Sequence, residues 1–420
     1  MIKDLLHQNY CSRLPRLREW YKATTEKLSF PVYSSYDIRD SGFKVSNVDA
    51  NIYPAGFNNI CHQDMDAAVE IMDNYLKSHY GAEVQRVLLV TEEHTQNPYY
   101  WDNVAAIRDL IERSGRQIFV GMPSAIQPMD LKSASGKTVH VEAARPQNQA
   151  LMNFKPQVII SNNDFSNPHE DWAEAWQSQA LPINPPRELG WYQRKKSTYF
   201  KHYNQLVLEF SEILDLDPFA LNVMTDLHSS FDLDDEKSMA ELSAKVDAMI
   251  SKTAIEYKKR DIDAKPVVFV KSNAGTYGMG VVRTESGEEL LNWNSKARKK
   301  MKASKGGNQV TEVIVQEGIP SRVESDGAVA EPVIYMIGCE LAGGFLRTHS
   351  DKSATDSLNA PGAVYKRLCV SDLNVGLDHS PLENVYGWSA KLGLIAIGLE
   401  AQEMGIPFVN YMKTSCSSHS

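Results

Sequence analysis

The stretch Val267-Val268-Phe269-Val270-Lys271-Ser272-Asn273-Ala274-Gly275-Thr276-Tyr277-Gly278-Met279-Gly280-Val281-Val282 constrains the fold more than any other part of the chain. A β-branched run ends in lysine, a loop with three glycines follows, and a second apolar run begins at once, which predicts two strands joined by a flexible turn. Glycine lets backbone N–H groups close around phosphate oxygens, and a lysine at the strand end offers a point charge to the same group. The loop is therefore a candidate triphosphate cradle, with a plain glycine-rich hairpin as the alternative. Two commoner phosphate loops are excluded. No Lys-Ser or Lys-Thr follows Gly280, as a P-loop needs, and Gly275, Gly278 and Gly280 stand in the wrong order for a dinucleotide fingerprint.

The neighbours of this stretch sharpen the reading. Val313-Ile314-Val315-Gln316-Glu317-Gly318-Ile319-Pro320 predicts a buried strand that turns polar at its end, where backbone groups can meet adenine and a carboxylate can meet ribose. Pro332 to Ile337 and Gly343 to Arg347 predict a hairpin that leaves Arg347 near a strand end, before a polar loop, Asp356 to Gly362. Upstream lies the basic run Arg194-Lys195-Lys196-Ser197, for which a solvated helix face is one reading.

Elsewhere short apolar runs alternate with amphipathic stretches, the pattern of an α/β protein. Arg86 to Thr91, Gln117 to Gly121 and Gln157 to Ser161 predict strands, with a helix from Trp101 to Arg113, and together they predict a small doubly wound unit. Three prolines between Leu181 and Pro186 mark a boundary. The division expected is 1–84, 85–186 and 187–420. Met239, Leu242, Val246, Met249, Thr253 and Tyr257 recur at helical spacing between Asp235 and Lys259 and read as a core face. The lysines from Lys296 to Lys305, ending at Gly306-Gly307, read as the C-terminal turn of a helix.

A net charge of −9 argues against nucleic-acid or anionic-membrane binding, since both need a positive field, and points to small-molecule partners. No apolar run approaches a membrane span, and Met1-Ile2-Lys3-Asp4 does not open a signal peptide. Cys11, Cys61, Cys339, Cys369 and Cys416 are scattered without paired spacing, so they read as reduced thiols in a cytoplasmic protein, Cys61 as a small buried residue. The eleven histidines show no clustered ligand spacing. Oligomeric state is not legible in the sequence.

The order of a strand lysine with its glycine loop, a hinge strand, a hairpin ending in arginine and a polar loop resembles the ATP-grasp superfamily. That resemblance implies bound ATP, with Lys196, Lys271, Gly275, Thr276, Gly278 and Gly280 at the phosphates, Gln316 and Glu317 at the nucleoside, and Arg347 steadying an acyl phosphate beside Lys271. It also implies two metal-binding positions late in the fold, an acid on one strand and an acid-x-Asn pair on the next. No such pair follows Arg347, and the last strand candidate is Pro407 to Tyr411. The pattern stands instead at the other terminus: Phe30 to Ile38 predicts a strand carrying Asp37, and Val48-Asp49-Ala50-Asn51-Ile52-Tyr53-Pro54-Ala55-Gly56 supplies acid-x-Asn before a Pro-x-Gly turn. Oxygen donors on adjacent strands suit a hard cation such as Mg2+ bridging phosphates, and an acidic turn with an Asx cap is the alternative. The expectation is thus a circularly permuted ATP-grasp enclosing a small doubly wound (pre-ATP-grasp) domain, which the surface position of chain termini permits.

Nearly end to end, the chain also resembles the glutamate–cysteine ligases of the rarer proteobacterial type, through Tyr36-Asp37-Ile38-Arg39, Gly42-Phe43-Lys44, Val48 to Asn51, Tyr53 to Asn59, Lys271 to Gly280 and Glu331 to Tyr335. That resemblance implies ATP-dependent joining of the glutamate γ-carboxyl to cysteine, the first step of glutathione synthesis. Arg39, Lys44, Asn58 and Asn59 lie close in sequence to the expected metal site and are candidates for holding glutamate, though each also reads as surface charge or turn amide. Another carboxylate–amine ligase, a kinase, or a nucleotide-binding regulatory protein on the same scaffold are the alternatives, since fold does not fix function.

Overall fold

The computed structural model describes residues 2–190, 193–275, 280–302, 310–369 and 385–409. The first part of the chain runs α1 (Ile2–Thr25), β1 (Tyr33–Asp40), β2 (Val45–Asn51) and α2 (His62–Tyr80). There follow β3 (Arg86–Val90), α3 (Pro98–Arg113), β4 (Gln117–Met122), β5 (Met129–Lys132), β6 (Thr138–Ala143), α4 (Gln149–Phe154), β7 (Val158–Ser161), α5 (Glu170–Gln177) and β8 (Ile183–Asn184). Next come α6 (Lys196–Leu214), β9 (Thr225–His228), α7 (Glu236–Lys258), β10 (Val268–Ser272), β11 (Val281–Thr284), α8 (Gly287–Leu291) and α9 (Ser295–Lys302). The last elements are β12 (Val313–Glu317), β13 (Glu324–Ser325), β14 (Ala328–Ile337), β15 (Glu340–His349), β16 (Val364–Arg367) and α10 (Val385–Glu403).

These strands form three sheets, and the fold is α/β. The first has the order β16-β15-β14-β1-β2, with β13 added to β14, so the N-terminal hairpin continues a sheet built by the far end of the chain. All its pairings are antiparallel. Asp37 is thus inside a strand rather than at its end, because pairing starts at Tyr33 and β1 runs on to Asp40. Two irregularities shape it. Between Asp37 and Ile38 the β1–β2 register slips, leaving Val48 as the extra residue of a bulge. Pro332 in β14 has no N–H to donate, and the β1–β14 pairing stops at Val333, just before it.

One face of this sheet packs on α10, whose residues are buried on nearly every side, as an all-round apolar helix must be. Tyr36, Ile38, Ala50 and Ile334 share a core with that helix. Gly393 is where helix and strand touch: a Cβ there would lie 2.6 Å from the Tyr36 ring. Lys391 and Glu400 also sit on α10, and among the described residues no helix is long and apolar enough to cross a membrane.

The second sheet, β11-β10-β12-β9, is antiparallel and backed by α7. Asp235 caps α7 by accepting from the Ser238 N–H at 2.9 Å, and the Met239 to Tyr257 stripe is buried. Gly280, which closes the glycine loop, has φ +62°, a backbone conformation that favours glycine. The third sheet, β5-β6-β4-β3-β7-β8, takes all its strands from residues 86–184, and is parallel except for β5. Its central strands are continuous apolar runs because both faces are buried, Leu88 and Val90 in one core and Val87 and Leu89 in another.

Two expectations are corrected. Phe408 and Val409 lie in a bend rather than a strand, while Asn410 and Tyr411, like Gly306 and Gly307 after α9, fall outside the described residues. The cysteines are not all reduced: Cys61, at the N-cap of α2, and Cys369, just after β16, form a disulfide across 308 residues of sequence. Short-range spacing could not show this, since the edge pairing of β16 on β15 brings the two together. Asp64 joins them, making Cys61, Asp64 and Cys369 the tight cluster of metal-type donors found among the described residues.

Candidate active site

Residues opposed in an antiparallel pair share a face, so register alone assembles the first half of the site. Asp37 stands opposite Asp49 on β2 and Val333 on β14, Ser35 opposite Asn51, and Glu331 opposite Arg347 on β15. Asp37, Asp49, Asn51, Glu331 and Arg347 therefore lie on one face of the first sheet, turned away from α10. An open cleft, about 550 Å3 with the solvent at its mouth included, separates this face from the second sheet. Asp37, Arg39, Asp49 and Glu331 line one wall; Lys271 and Phe269 of β10, with Gln316 and Glu317 of β12, line the other.

Two lysines reach across to the β1–β2 hairpin. Lys271 Nζ donates to Gln316 Oε1 at 2.6 Å and to the Val48 carbonyl at 3.1 Å, the carbonyl that the bulge leaves outside the ladder. Lys196 Nζ lies 2.5 Å from Asp49 Oδ1. Lys196 opens α6, and the glycine-loop residue Asn273 caps that helix, its carbonyl accepting from Lys196 N at 2.8 Å and its side chain from Ser197 N at 2.9 Å. The basic cluster and the glycine loop thus form one structural unit. Burial pushes the Lys271 ammonium down to about 8; Asp49 opposes this and Lys196 reinforces it. At Asp49 burial favours the neutral acid, but Lys196 and Lys271 outweigh it and hold the carboxyl below its usual range.

Glu331 is a buried bridge between two guanidiniums. Its Oε2 is 2.7 Å from Arg39 Nε and its Oε1 2.7 Å from Arg347 Nη1, which also donates to Asp37 Oδ2 at 2.7 Å. Burial lifts the Asp37 carboxyl above its usual range; Arg347 works against this, while Glu331 and Asp49 add to it. Arg39 uses its other nitrogens on the Ala354 and Asp356 carbonyls, and so ties the strand to the polar loop whose Ser357 and Asn359 face the cavity.

The remaining expected residues fall in several places. Lys44, a candidate glutamate contact, stands outside the cavity lining, and its buried ammonium lies 2.5 Å from Glu317 Oε1 and 3.0 Å from Asn222 Oδ1. Asn51 lies on the right face, but its Oδ1 accepts from Tyr53 N at 2.8 Å, an Asx turn that leaves one lone pair. Asn58 and Asn59 sit on a short 3-10 helix, hydrogen-bonded to each other at 3.2 Å and not among the lining residues. Gly275 and Gly280 flank the glycine loop, whereas Thr276 and Gly278 lie outside the described residues. Sequence reasoning assigned no role to Glu331, Asn273, Ser357 or Asn359; Glu331 carried a signal, an acid beside a proline inside an apolar run.

The donors opposed across β1 and β2 suit a hard cation. They are carboxylate oxygens on adjacent strands, and the mutual repulsion of Asp37, Asp49 and Glu331 is what a divalent ion would relieve.

The family model for glutamate-cysteine ligase (GshA) matches residues 7–401. A candidate gamma-glutamylcysteine synthetase from Methylobacillus flagellatus KT is similar at 30% identity, over 96% of this chain and 97% of that one, with a TM-score of 0.84. D-alanyl-alanine synthetase A from Vibrio cholerae O1 biovar eltor matches at 9% identity and a TM-score of 0.34, over 74% of this chain and 81% of that one. A glutathione synthetase-like effector from Globodera pallida matches at 10% identity and 0.38, over 87% of each chain. No curated protein matches the chain. The chain is an ATP-grasp ligase that belongs to the glutamate-cysteine ligase family.

Proposed function

We propose that the chain activates the γ-carboxylate of glutamate with the γ-phosphoryl group of ATP and that the amine of cysteine then displaces phosphate, giving γ-glutamylcysteine, ADP and phosphate. The observation that carries this reading is the facing of Asp37 and Asp49, directly opposed on one sheet, toward Lys271 on another across a single cavity. The carboxylate nucleophile is already ionised, so the protein's task is to position it and to neutralise charge. Lys271 and Lys196 supply positive charge at the phosphates, with the backbone of the glycine loop. Gln316 and Glu317 take the nucleoside. Arg39, with Ser357 and Asn359, faces the amino-acid end, and Arg347 fixes Asp37 and Glu331 from behind. Asp37, Asp49 and the free lone pair of Asn51 would hold Mg2+, which when bound screens the phosphate charge.

We read the scaffold as an ATP-grasp whose final strands have moved to the N-terminus as β1 and β2, enclosing residues 85–186 as a separate small domain, and we place the protein in the cytoplasm, where ATP is supplied. The test is release of ADP from Mg-ATP by purified protein. It should require glutamate and cysteine together; release with glutamate alone, or with neither, would point to a kinase or a simple ATPase.

A further inference from the structure

Glu317 is held at one oxygen only. Its Oε1 accepts from Lys44 Nζ at 2.5 Å and from the Met224 N–H at 2.8 Å, whereas its Oε2 is buried with no hydrogen-bond partner. Both side chains of the Lys44–Glu317 pair are 1% exposed, and Glu317, unlike Lys44, lines the cavity. A carboxylate oxygen can only accept, and a buried acceptor left empty is costly, so this atom selects for a ligand that brings a donor.

We propose that Lys44 is a positioning residue for nucleotide selectivity: by fixing Oε1 of Glu317 it presents Oε2 to a sugar hydroxyl, so that ribonucleotides are preferred over their deoxy counterparts. This rests on the reading of the cavity as a nucleotide site. Lys44 follows the turn between β1 and β2, with its ammonium 4.2 Å from the centre of the Phe219 ring and its third direction taken by Asn222. That setting is rigid. The same hairpin carries Asp37 and Asp49, so one short segment sets the distance between the sugar contact and the carboxylates at the phosphate end. Without the ammonium, Glu317 retains only the Met224 N–H and is free to rotate.

The experiment measures kcat/KM for ATP, 2′-deoxyATP and 3′-deoxyATP in the full chain, as glutamate- and cysteine-dependent ADP release. The native protein should prefer ATP over at least one deoxy form by about 10- to 100-fold, the range expected when a buried acceptor loses its donor. Lys44→Met should bring that ratio close to one, mainly through KM for ATP, with KM for the deoxy form changing much less. Lys44→Arg keeps the charge and should restore part of the ratio; it also serves if Lys44→Met does not fold, because an Arg variant with the full native ratio and an unchanged ATP KM would count against an ammonium-specific role. Calorimetric binding of the same nucleotides gives the ratio without turnover. A Lys44→Met protein that loses ATP and deoxyATP equally has lost structure rather than selectivity, and overturns the proposal. Native protein that shows full ligase activity but no discrimination overturns the sugar contact while leaving the ligase reading intact, whereas absence of any amino-acid-dependent ADP release sinks that reading itself.

Discussion

Replacing Lys271 by methionine tests the electrostatics of the site apart from catalysis. The Lys271 ammonium sits at about 8 when folded against 10.5 as an ordinary lysine. At about 1.4 kcal/mol per unit, burying it charged costs the nucleotide-free protein on the order of 3 kcal/mol. The sign follows from proton counting. Below pH 8 both folded and unfolded chains carry the proton and the full penalty applies; between 8 and 10.5 the unfolded chain binds more protons, so stability rises with pH; above 10.5 both are neutral and the penalty is gone. Between pH 7.5 and 9.5 the native protein should gain about 2 kcal/mol from this residue, and Lys271→Met should not. The assay is denaturant unfolding of both proteins at the two pH values, nucleotide-free, with the disulfide state held constant. Other titrating groups are common to both, so those that do not couple to residue 271, as Lys196 and Asp49 do, cancel in the difference of differences. Equal pH dependence within about 0.5 kcal/mol would refute the reasoning, because it would mean that the lysine is solvated or fully compensated. A bound triphosphate should restore the charged form and flatten the native slope.

The same geometry fixes further outcomes. Asp49→Asn keeps shape but removes a carboxylate, so ADP release should fall on the order of tenfold or more, and wild-type rates would argue against a role at the metal. Chelating divalent cations should abolish ADP release by the native protein, and activity that persists in chelator would exclude the Mg2+ requirement. Arg347→Ala leaves Asp37 and Glu331 buried without their shared partner and should destabilise the fold by about 3–5 kcal/mol in unfolding experiments, with a loss below about 1 kcal/mol as the contrary result. Alkylation of the denatured but unreduced protein should spare Cys61 and Cys369, and Cys61→Ser should expose Cys369 to the reagent; labelling of both cysteines without reduction would show that the bridge is absent.

The sequence made the strands legible wherever local pattern decides. Lys271 with its glycine loop, the hinge at Gln316 and Glu317, and the stripe from Met239 to Tyr257 could all be read, since each is a short-range signal of apolar period and turn chemistry. The opposition of Asp37 and Asp49 was legible only through a motif, because the pairing that aims them depends on β14, far along the chain. The partner of Lys44 was hidden for a related reason: a charged residue after a turn looks solvated until the second sheet closes over it and supplies Glu317. Arg39 likewise looked free, yet its guanidinium is shared between Glu331 and the polar loop. The disulfide was invisible because only an edge strand brings Cys369 to the start of α2. Tertiary partners, not local propensity, decide what a charged side chain can still bind.

The pairing of β1 with β14 also governs how the molecule is made. Tyr33 leaves the ribosome early and its partner Ile337 late, an interval on the order of half a minute at roughly 5–20 residues per second. The strands of the third sheet, all drawn from residues 86–184, are complete well within that wait and can pair while synthesis continues. The N-terminal hairpin cannot finish its sheet: until Ala328–Ile337 emerges, β1 has an unpaired edge. An exposed strand edge is a template for other chains, so nascent protein stalled before that point should be the form most dependent on chaperones and most prone to aggregate.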